Sequence, residues 1–421
     1  MDLELHEGVR LHVLPNQQFK TTQIVVNLTT KHQQATITKR SLLANILELG
    51  TEKYPDQTQI AQKLAGMYGA TFGTDLQKYG QLHSFRFMMR IINEKFLQSD
   101  DNLLADAVAF LAEAIFNPLA KNQQFDGDIF AREKENMQAD FEALVDDKQS
   151  YANNQLSQLY FQNEMAIPSY GQVGDLAPLD AQNLYQYYQT MLTEDLIDIF
   201  VIGDVDEVAV VALFKQLPFK PRPVIDIQLN YQQPLKEVVS EKIEHQPIKQ
   251  AKLNMAFQIP HQNAPVERYA AIVLNALLGG YPLSKLFVNV REKASLAYYA
   301  QSGVSLATQT LTVQTGIQSS DLTRVISLVK AQIEAIQTGD FTDEEITQII
   351  AYLTNSFEAS LDSPRSIVER ATVQALSNKV TEPAQWIANL EQVTKADVMA
   401  LAKKIKLQAV FALVEENYAA N

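Results

Sequence analysis

The feature that most limits what this chain can become is that it repeats itself. The segment "FDGDIFAREKENMQADFEALVDDKQS" from Phe125 aligns without a gap on "FTDEEITQIIAYLTNSFEASLDSPRS" from Phe341, 216 positions later, with "FEALVDD" over "FEASLDS". Earlier in each copy, "HQQATITKR" from His32 answers "HQNAPVERY" from His261. Each leads into an apolar helical run that stops at glycine, "SLLANILELG" and "AAIVLNALLGG". Two matching blocks in the same order are hard to obtain by chance, so the chain reads as two diverged copies of one domain. Size agrees: at 421 residues the chain exceeds the roughly 250–300 residues at which a single core stops growing.

Between the copies, "LPFKPRPVIDIQLNYQQP" from Leu217 to Pro234 carries four prolines that interrupt any periodicity. It follows a strand-like "LIDIFVIGDV" and a helical "DEVAVVALFKQL". The expected division is a first domain over 1–220, a linker over 221–234 and a second domain over 235–421. Within each copy strands and helices mix. "TQIVVNLTT" and "LHSFRFMMRII" are rich in β-branched and aromatic residues, whereas "DNLLADAVAFLAEAIFNP" has apolar residues at helical spacing and stops at Asn-Pro. The second copy answers with "LTVQTGIQ" and "LTRVISLVKAQIEAIQTGD". This predicts an α+β domain used twice.

Composition removes several functions. Acidic residues outnumber basic ones 49 to 35, giving a net charge of −14, which disfavours phosphate backbones, so nucleic acid is not an expected partner. The absence of cysteine excludes thiolate mechanisms, disulfides and Cys-type zinc sites. His6, His12, His32, His83, His245 and His261 are the candidate imidazole ligands. No phosphate-loop or dinucleotide fingerprint is present; "LLGGYPLSKL" has a glycine pair and a lysine without the required spacing, so no nucleotide cofactor is expected. The N-terminus lacks a basic stretch followed by an apolar core, and no run approaches the roughly 18 apolar residues that span a bilayer. A cytoplasmic protein without membrane contact is the expectation.

The order of these pieces resembles the insulinase/pitrilysin family of zinc peptidases, the inverzincins, over nearly the whole chain. The resemblance rests on the helix ending in Gly-Thr, on "KYPDQTQIAQKLAGMYGATFGTDL", "AREKENMQADFEALVDD", "IPSYGQVGD" and "VIGDVD", and above all on "GGYPLSKLFVNVREKASLAYYAQSG". It implies two homologous α+β domains, each an antiparallel sheet packed with helices, arranged as a clamshell around a peptide chamber. In the family, H-x-x-E-H on the first helix supplies two zinc ligands and a general base, and a carboxylate on a later helix completes the site. Anchored on "LGT", these positions fall on Ser41, Ala44 and Asn45, with the later carboxylate near Asp140, preceded by Glu133 and followed by Glu142. A hydroxyl and an amide are poor zinc ligands and a methyl group moves no proton. The resemblance therefore implies a degenerate member without a metal cofactor.

The family's substrate-side Arg and Tyr in the second domain correspond to Arg291 and to Tyr298 or Tyr299. Degenerate members pair with an active paralogue that carries the zinc site, as in mitochondrial processing peptidases. Such a heterodimer, with peptide or unfolded polypeptide as a further ligand, is the implied partnership. Among bacterial groups the chain most resembles the degenerate proteins associated with elongation factor P modification. Two rivals follow: a peptidase with a rearranged metal site built from Asp140 with His83 or His32, and a purely structural subunit. Ser41 as a nucleophile lacks any G-x-S-x-G context. The series Glu133, Glu135, Asp140 and Glu142 reads as a solvated helix face, and the acidic balance would favour basic peptides.

Overall fold

The computed structural model describes residues 1–98, 102–223, 227–260 and 265–418. His261 and residues 224–226 of the expected linker lie outside them. The first copy opens with β1 (Asp2–His6), β2 (Val9–Pro15), β3 (Thr21–Lys31), α1 (Gln34–Leu47) and α2 (Gln57–Gly66). A hairpin of β4 (Thr71–Tyr79) and β5 (Leu82–Ile92) leads to α3 (Leu103–Phe116), the short β6 (Ala120–Lys121) and β7 (Gln124–Phe125), and α4 (Gly127–Ala143). It ends with α5 (Lys148–Tyr160), α6 (Ala181–Glu194), β8 (Leu196–Gly203) and α7 (Glu207–Phe214).

The second copy starts with β9 (Ser240–Gln246), β10 (Ala251–Gln258) and α8 (Pro265–Asn275), followed by π-helical turns at Ala276–Gly280 and Phe287–Lys293. Then come β11 (Ala297–Ser305), β12 (Thr310–Ile317), α9 (Leu322–Thr338), α10 (Asp343–Ser360) and α11 (Pro364–Ser377). Last are α12 (Pro383–Glu391), α13 (Lys395–Ala402) and β13 (Lys406–Glu415).

The α+β expectation holds, and apart from the extra edge strand β1 the two sheets repeat one topology: β1-β2-β8-β3-β5-β4 in one, β9-β13-β10-β12-β11 in the other. Each sheet is antiparallel except for one pair, β2 with β8 and β9 with β13. In both copies the final strand returns through a long connection to lie parallel to an early strand, β2 in one and β9 in the other, which a tight hairpin cannot achieve.

The compact units are not contiguous in sequence. One comprises Met1–Glu142, Pro168–Leu229 and Ser360–Lys379; the other comprises Ala143–Ile167, Asn230–Ala359 and the chain from Val380 onward. The exchanged segments contain α5 and α11, which start at equivalent positions of the repeat. In the first unit, alternate residues of β5 (Phe85, Phe87, Met89, Ile91) enter the main core with α1, α3 and α6. The opposite face of that sheet, with Asn27, Arg86 and Asp198, meets α11. In the second unit, Leu253, Met255 and Phe257 of β10 face the main core, and Ala256, Ala409 and Phe411 face α5. Both faces of each sheet are thus covered, and strict alternation decides which side chains meet which layer. Among the described residues no helix is long and apolar enough to cross a membrane.

Candidate functional site

Along helix α1, Leu42, Leu43, Ile46 and Leu47 recur on one side of a 3.6-residue period and bury themselves in the core. The helix ends at Leu47, and Gly50 beyond it is kept small for a steric reason. A Cβ there would lie 3.0 Å from the Pro55 carbonyl oxygen and 3.2 Å from Leu119. The Thr51 side chain accepts from Tyr54 N at 3.0 Å. The Gly-Thr signature is therefore maintained by packing, independently of any chemistry upstream of it.

Ser41, Ala44 and Asn45 lie at helical spacing on a half-buried stripe of α1, with Glu48 the next residue along it. The Thr74 hydroxyl of β4 donates to the Ala44 carbonyl at 2.8 Å, which ties the stripe to the strand. Directly before the stripe, Arg40 is fully buried. Its Nη1 donates to Asp195 at 2.6 Å and its Nη2 to the Leu28 carbonyl at 3.0 Å. Burial pushes the Asp195 carboxyl up to about 6, outweighing the attraction of Arg40.

On α4, Phe130, Glu133 and Met137 turn inward. Glu133 accepts from Arg132 Nε at 2.9 Å and from Asn136 Nδ2 at 3.3 Å. Asp140 is exposed, as are Glu135 and Glu142. The acidic series is thus a solvated face except for Glu133, whose spacing from Phe130 and Met137 draws it in.

These groups do not fit a zinc ion. A hydroxyl and an amide stand where two imidazoles are needed, and among the described residues no group of three or more His, Asp or Glu side chains could hold a metal. The rival reading, a rearranged site of Asp140 with His83 or His32, is not assembled among the described residues either. The two imidazoles do approach, with ring centroids 5.5 Å apart, but Asp140 does not join them. His83 Nε2 donates to the Ser169 carbonyl at 2.8 Å. Burial, reinforced by the Arg40 charge, holds this imidazole well below its usual range, so it stays neutral. The pair is buried in the first unit as part of its packing.

In the second unit, Arg291 lies in the π-helical turn Phe287–Lys293, its guanidinium 4.8 Å over the Phe287 ring. Tyr298 and Tyr299 follow on β11, an edge strand that among the described residues pairs with β12 alone. A register shift between Ala297 and Tyr299 leaves Tyr298 without a ladder partner and separates the two rings. Tyr298 is 61% exposed, whereas Tyr299 donates to Gln149 of α5 and lies under Lys252 at 5.2 Å. Burial pushes the Tyr299 phenol up to about 12. Of the two tyrosines, Tyr298 is the one available to a ligand.

Sequence reasoning missed Arg40, Asp195, Glu48 and Thr74. Glu48 alone left a signal, the i+7 position of the degenerate stripe. Nothing in the chain marks Asp195 as Arg40's partner 155 residues away.

A family profile described as "Peptidase M16 inactive domain" matches residues 178–353. The chain is 32% identical over 410 residues to the "Probable inactive metalloprotease YmfF" of Bacillus subtilis (strain 168), covering 97% of this chain and 96% of that protein. A crystal structure of a conserved protein from Enterococcus faecalis V583 superposes with a TM-score of 0.94 at 40% identity, over 100% of this chain and 99% of that one. The peptidase M16 inactive domain from Pseudomonas fluorescens superposes with a TM-score of 0.80 at 20% identity, over 100% and 99% of the two chains, a likeness of fold.

Proposed function

This chain belongs to the M16 peptidase family as an inactive homologue, and from that premise we propose that it is a non-catalytic subunit that holds extended polypeptide and pairs with a zinc-bearing paralogue. One observation carries the reading: the stripe Ser41, Ala44, Asn45 has no ligand set, yet it lies against a strand edge that is still open. Among the described residues β4 pairs with β5 alone. In an antiparallel pair every second residue turns its N–H and C=O away from the partner. Thr74 is one of these, since its N–H goes to Glu48 and not to the ladder, and the two-residue period adds Phe72 and Leu76. Such an edge accepts an extended chain through main-chain hydrogen bonds. Exposed Arg291 and Tyr298 offer a second grip, a cation and an aromatic face of the kind that dominates binding energy. Recognition thus survives where the means of hydrolysis is gone.

The test has two arms. A reduced, carboxymethylated protein such as lactalbumin, kept unfolded by that treatment, should bind the purified chain and remain intact by mass spectrometry. Arg291→Ala and Tyr298→Ala should each weaken binding about tenfold. Cleavage that a chelator abolishes would refute the non-catalytic subunit, and absence of binding would refute the polypeptide-holding role. For the partnership, the tagged chain isolated from its own cells should carry a stoichiometric M16 relative with intact H-x-x-E-H. Deleting this chain should lower that relative's peptidase activity. An unchanged activity would refute the heterodimer.

A further inference from the structure

We propose that Glu48 is a latch on the β4 edge, an internal stand-in for a bound chain that an incoming polypeptide must displace; this rests on the strand-addition reading above. Glu48 follows the degenerate stripe by one turn, at a position whose neighbours Ile46 and Leu47 are buried. Its side chain does not run into solvent. Oε1 accepts the Thr74 N–H and lies 2.9 Å from the Thr74 hydroxyl. The single hydroxyl hydrogen is shared between Glu48 and the Ala44 carbonyl at 2.8 Å. The carboxylate therefore fills the position that the carbonyl oxygen of an added strand would take.

Geometry makes the capping specific. Phe72, Thr74 and Leu76 face the helix layer, and Phe72 and Leu76 pack against the main core. Their outward main-chain groups recur every two residues along the edge. The Thr74 N–H is the one that meets Glu48, the residue one turn beyond Asn45. An ionised acceptor binds an N–H more strongly than a neutral carbonyl does. A chain docking along β4 gains its ladder of hydrogen bonds only after this one is released, or else skips it. The latch thus lowers affinity for any extended chain and keeps an open edge from pairing indiscriminately. The occupant is an extended polypeptide segment of another protein, because the groups on offer are a strand's donors and acceptors at a strand's spacing.

The experiment compares wild type, Glu48→Gln and Glu48→Ala in binding the carboxymethylated lactalbumin, alongside amide hydrogen exchange of β4 without ligand. Glu48→Ala should bind about tenfold tighter, the equivalent of one hydrogen bond to a charged group. Glu48→Gln keeps an uncharged acceptor and should fall between. Thr74 exchange should accelerate in Glu48→Ala while β5 stays protected, which reads the latch without any ligand. Unchanged Thr74 exchange would overturn the capping itself. Equal or weaker binding by Glu48→Ala, with wild type still binding, would overturn the latch and leave the polypeptide-holding role standing. Accelerated exchange with no binding by any of the three would overturn strand addition, and the latch with it.

Discussion

Helices α5 and α11 occupy the same place in the repeat and cover the same face of the opposite copy's sheet, but different chemistry holds them there. Under α11, Arg86 is pinned between Asp75 and Glu369, and the Tyr79 hydroxyl donates to the same Glu369. Arg10 grips Asp198 with two nitrogens at 2.6 and 2.7 Å and reaches the Ala375 carbonyl at 3.5 Å. Under α5 the contacts over the middle of the sheet are neutral, and charged groups enter only from the edge strand β9, where Tyr151 donates to Glu244 at 2.6 Å and Lys242 to Gln155 at 2.8 Å. Asn153 meets the amides of Asn254 and Gln314 at 2.7 and 3.0 Å, and Gln149 takes the Tyr299 hydroxyl. A charged interface loses heavily when one partner is removed and titrates with pH; an amide interface does neither. Duplication fixed the architecture, and each copy then found its own means of seating the other's helix.

The sharpest way to break this comparison is to empty one partner from each side. Arg86→Ala strands two half-buried carboxylates and should destabilise the first unit by about 3 kcal/mol. Asn254→Ala should cost the second unit about 1 kcal/mol. Urea unfolding resolves the two if each unit has its own probe. The single tryptophan, Trp386, stacks on Phe357 at 4.1 Å in the second unit, and amide exchange in β3 and β5 reports the first. Equal losses would mean that the charges under α11 are no more than alternative hydrogen bonds.

Much of this organisation was legible in the chain. The duplication located the copies, the run "LHSFRFMMRII", with its aromatic and β-branched residues, coincides with β5, and the Gly-Thr anchor put Ser41, Ala44 and Asn45 on one helical stripe. What stayed hidden has a common cause: periodicity reports which face of an element is buried but not which layer buries it. The alternation that makes Phe85 and Phe87 core residues also makes Arg86 inward-facing, and only the exchange of α11 explains why a charge is tolerated there. The antiparallel expectation failed for β2 with β8 and β9 with β13 for a related reason, since strand order is set by long connections that leave no local pattern. Asp195, which neutralises Arg40, is a helix-terminal residue of α6 and resembles any other cap in sequence.

A pH series sharpens the comparison at smaller amplitude. His12 is held between Asp2 at 2.8 Å and Asp198 at 3.0 Å, stacked on Phe200. Burial opposes charging the ring, yet the hydrogen bonds and charges of Asp198 and Asp2 raise its pKa above the usual imidazole value. A raised folded pKa means that the native state holds the proton more tightly. The stabilisation is complete below the unfolded value of roughly 6.5 and is lost as pH rises through the folded one. The stability advantage of wild type over His12→Asn should therefore shrink as pH is taken from 6 upward. The second unit's tryptophan-detected transition should show no matching change. A parallel shift in both units would erase the distinction.

The finest test exchanges the two caps. Asp147 begins α5 by accepting from Gln149 N and Ser150 N, both at 3.1 Å, and the Ser150 hydrogen bonds hold its carboxyl below the usual range. The repeat-equivalent residue before α11 is Ser363, which accepts from Ser366 N at 3.3 Å. An aspartate adds charge beside the positive end of the helix dipole, which a hydroxyl cannot. Ser363→Asp should stabilise the first unit by about 0.5 kcal/mol, and Asp147→Ser should destabilise the second by a similar amount. The neighbouring acid is the same in both copies, Asp146 before one cap and Asp362 before the other, so repulsion from it cancels in the comparison. If Ser363→Asp gives no gain while Asp147→Ser still costs, the reason is Pro364. The proline fixes the first helical φ of α11 in advance, so that helix depends less on its cap than its repeat partner does.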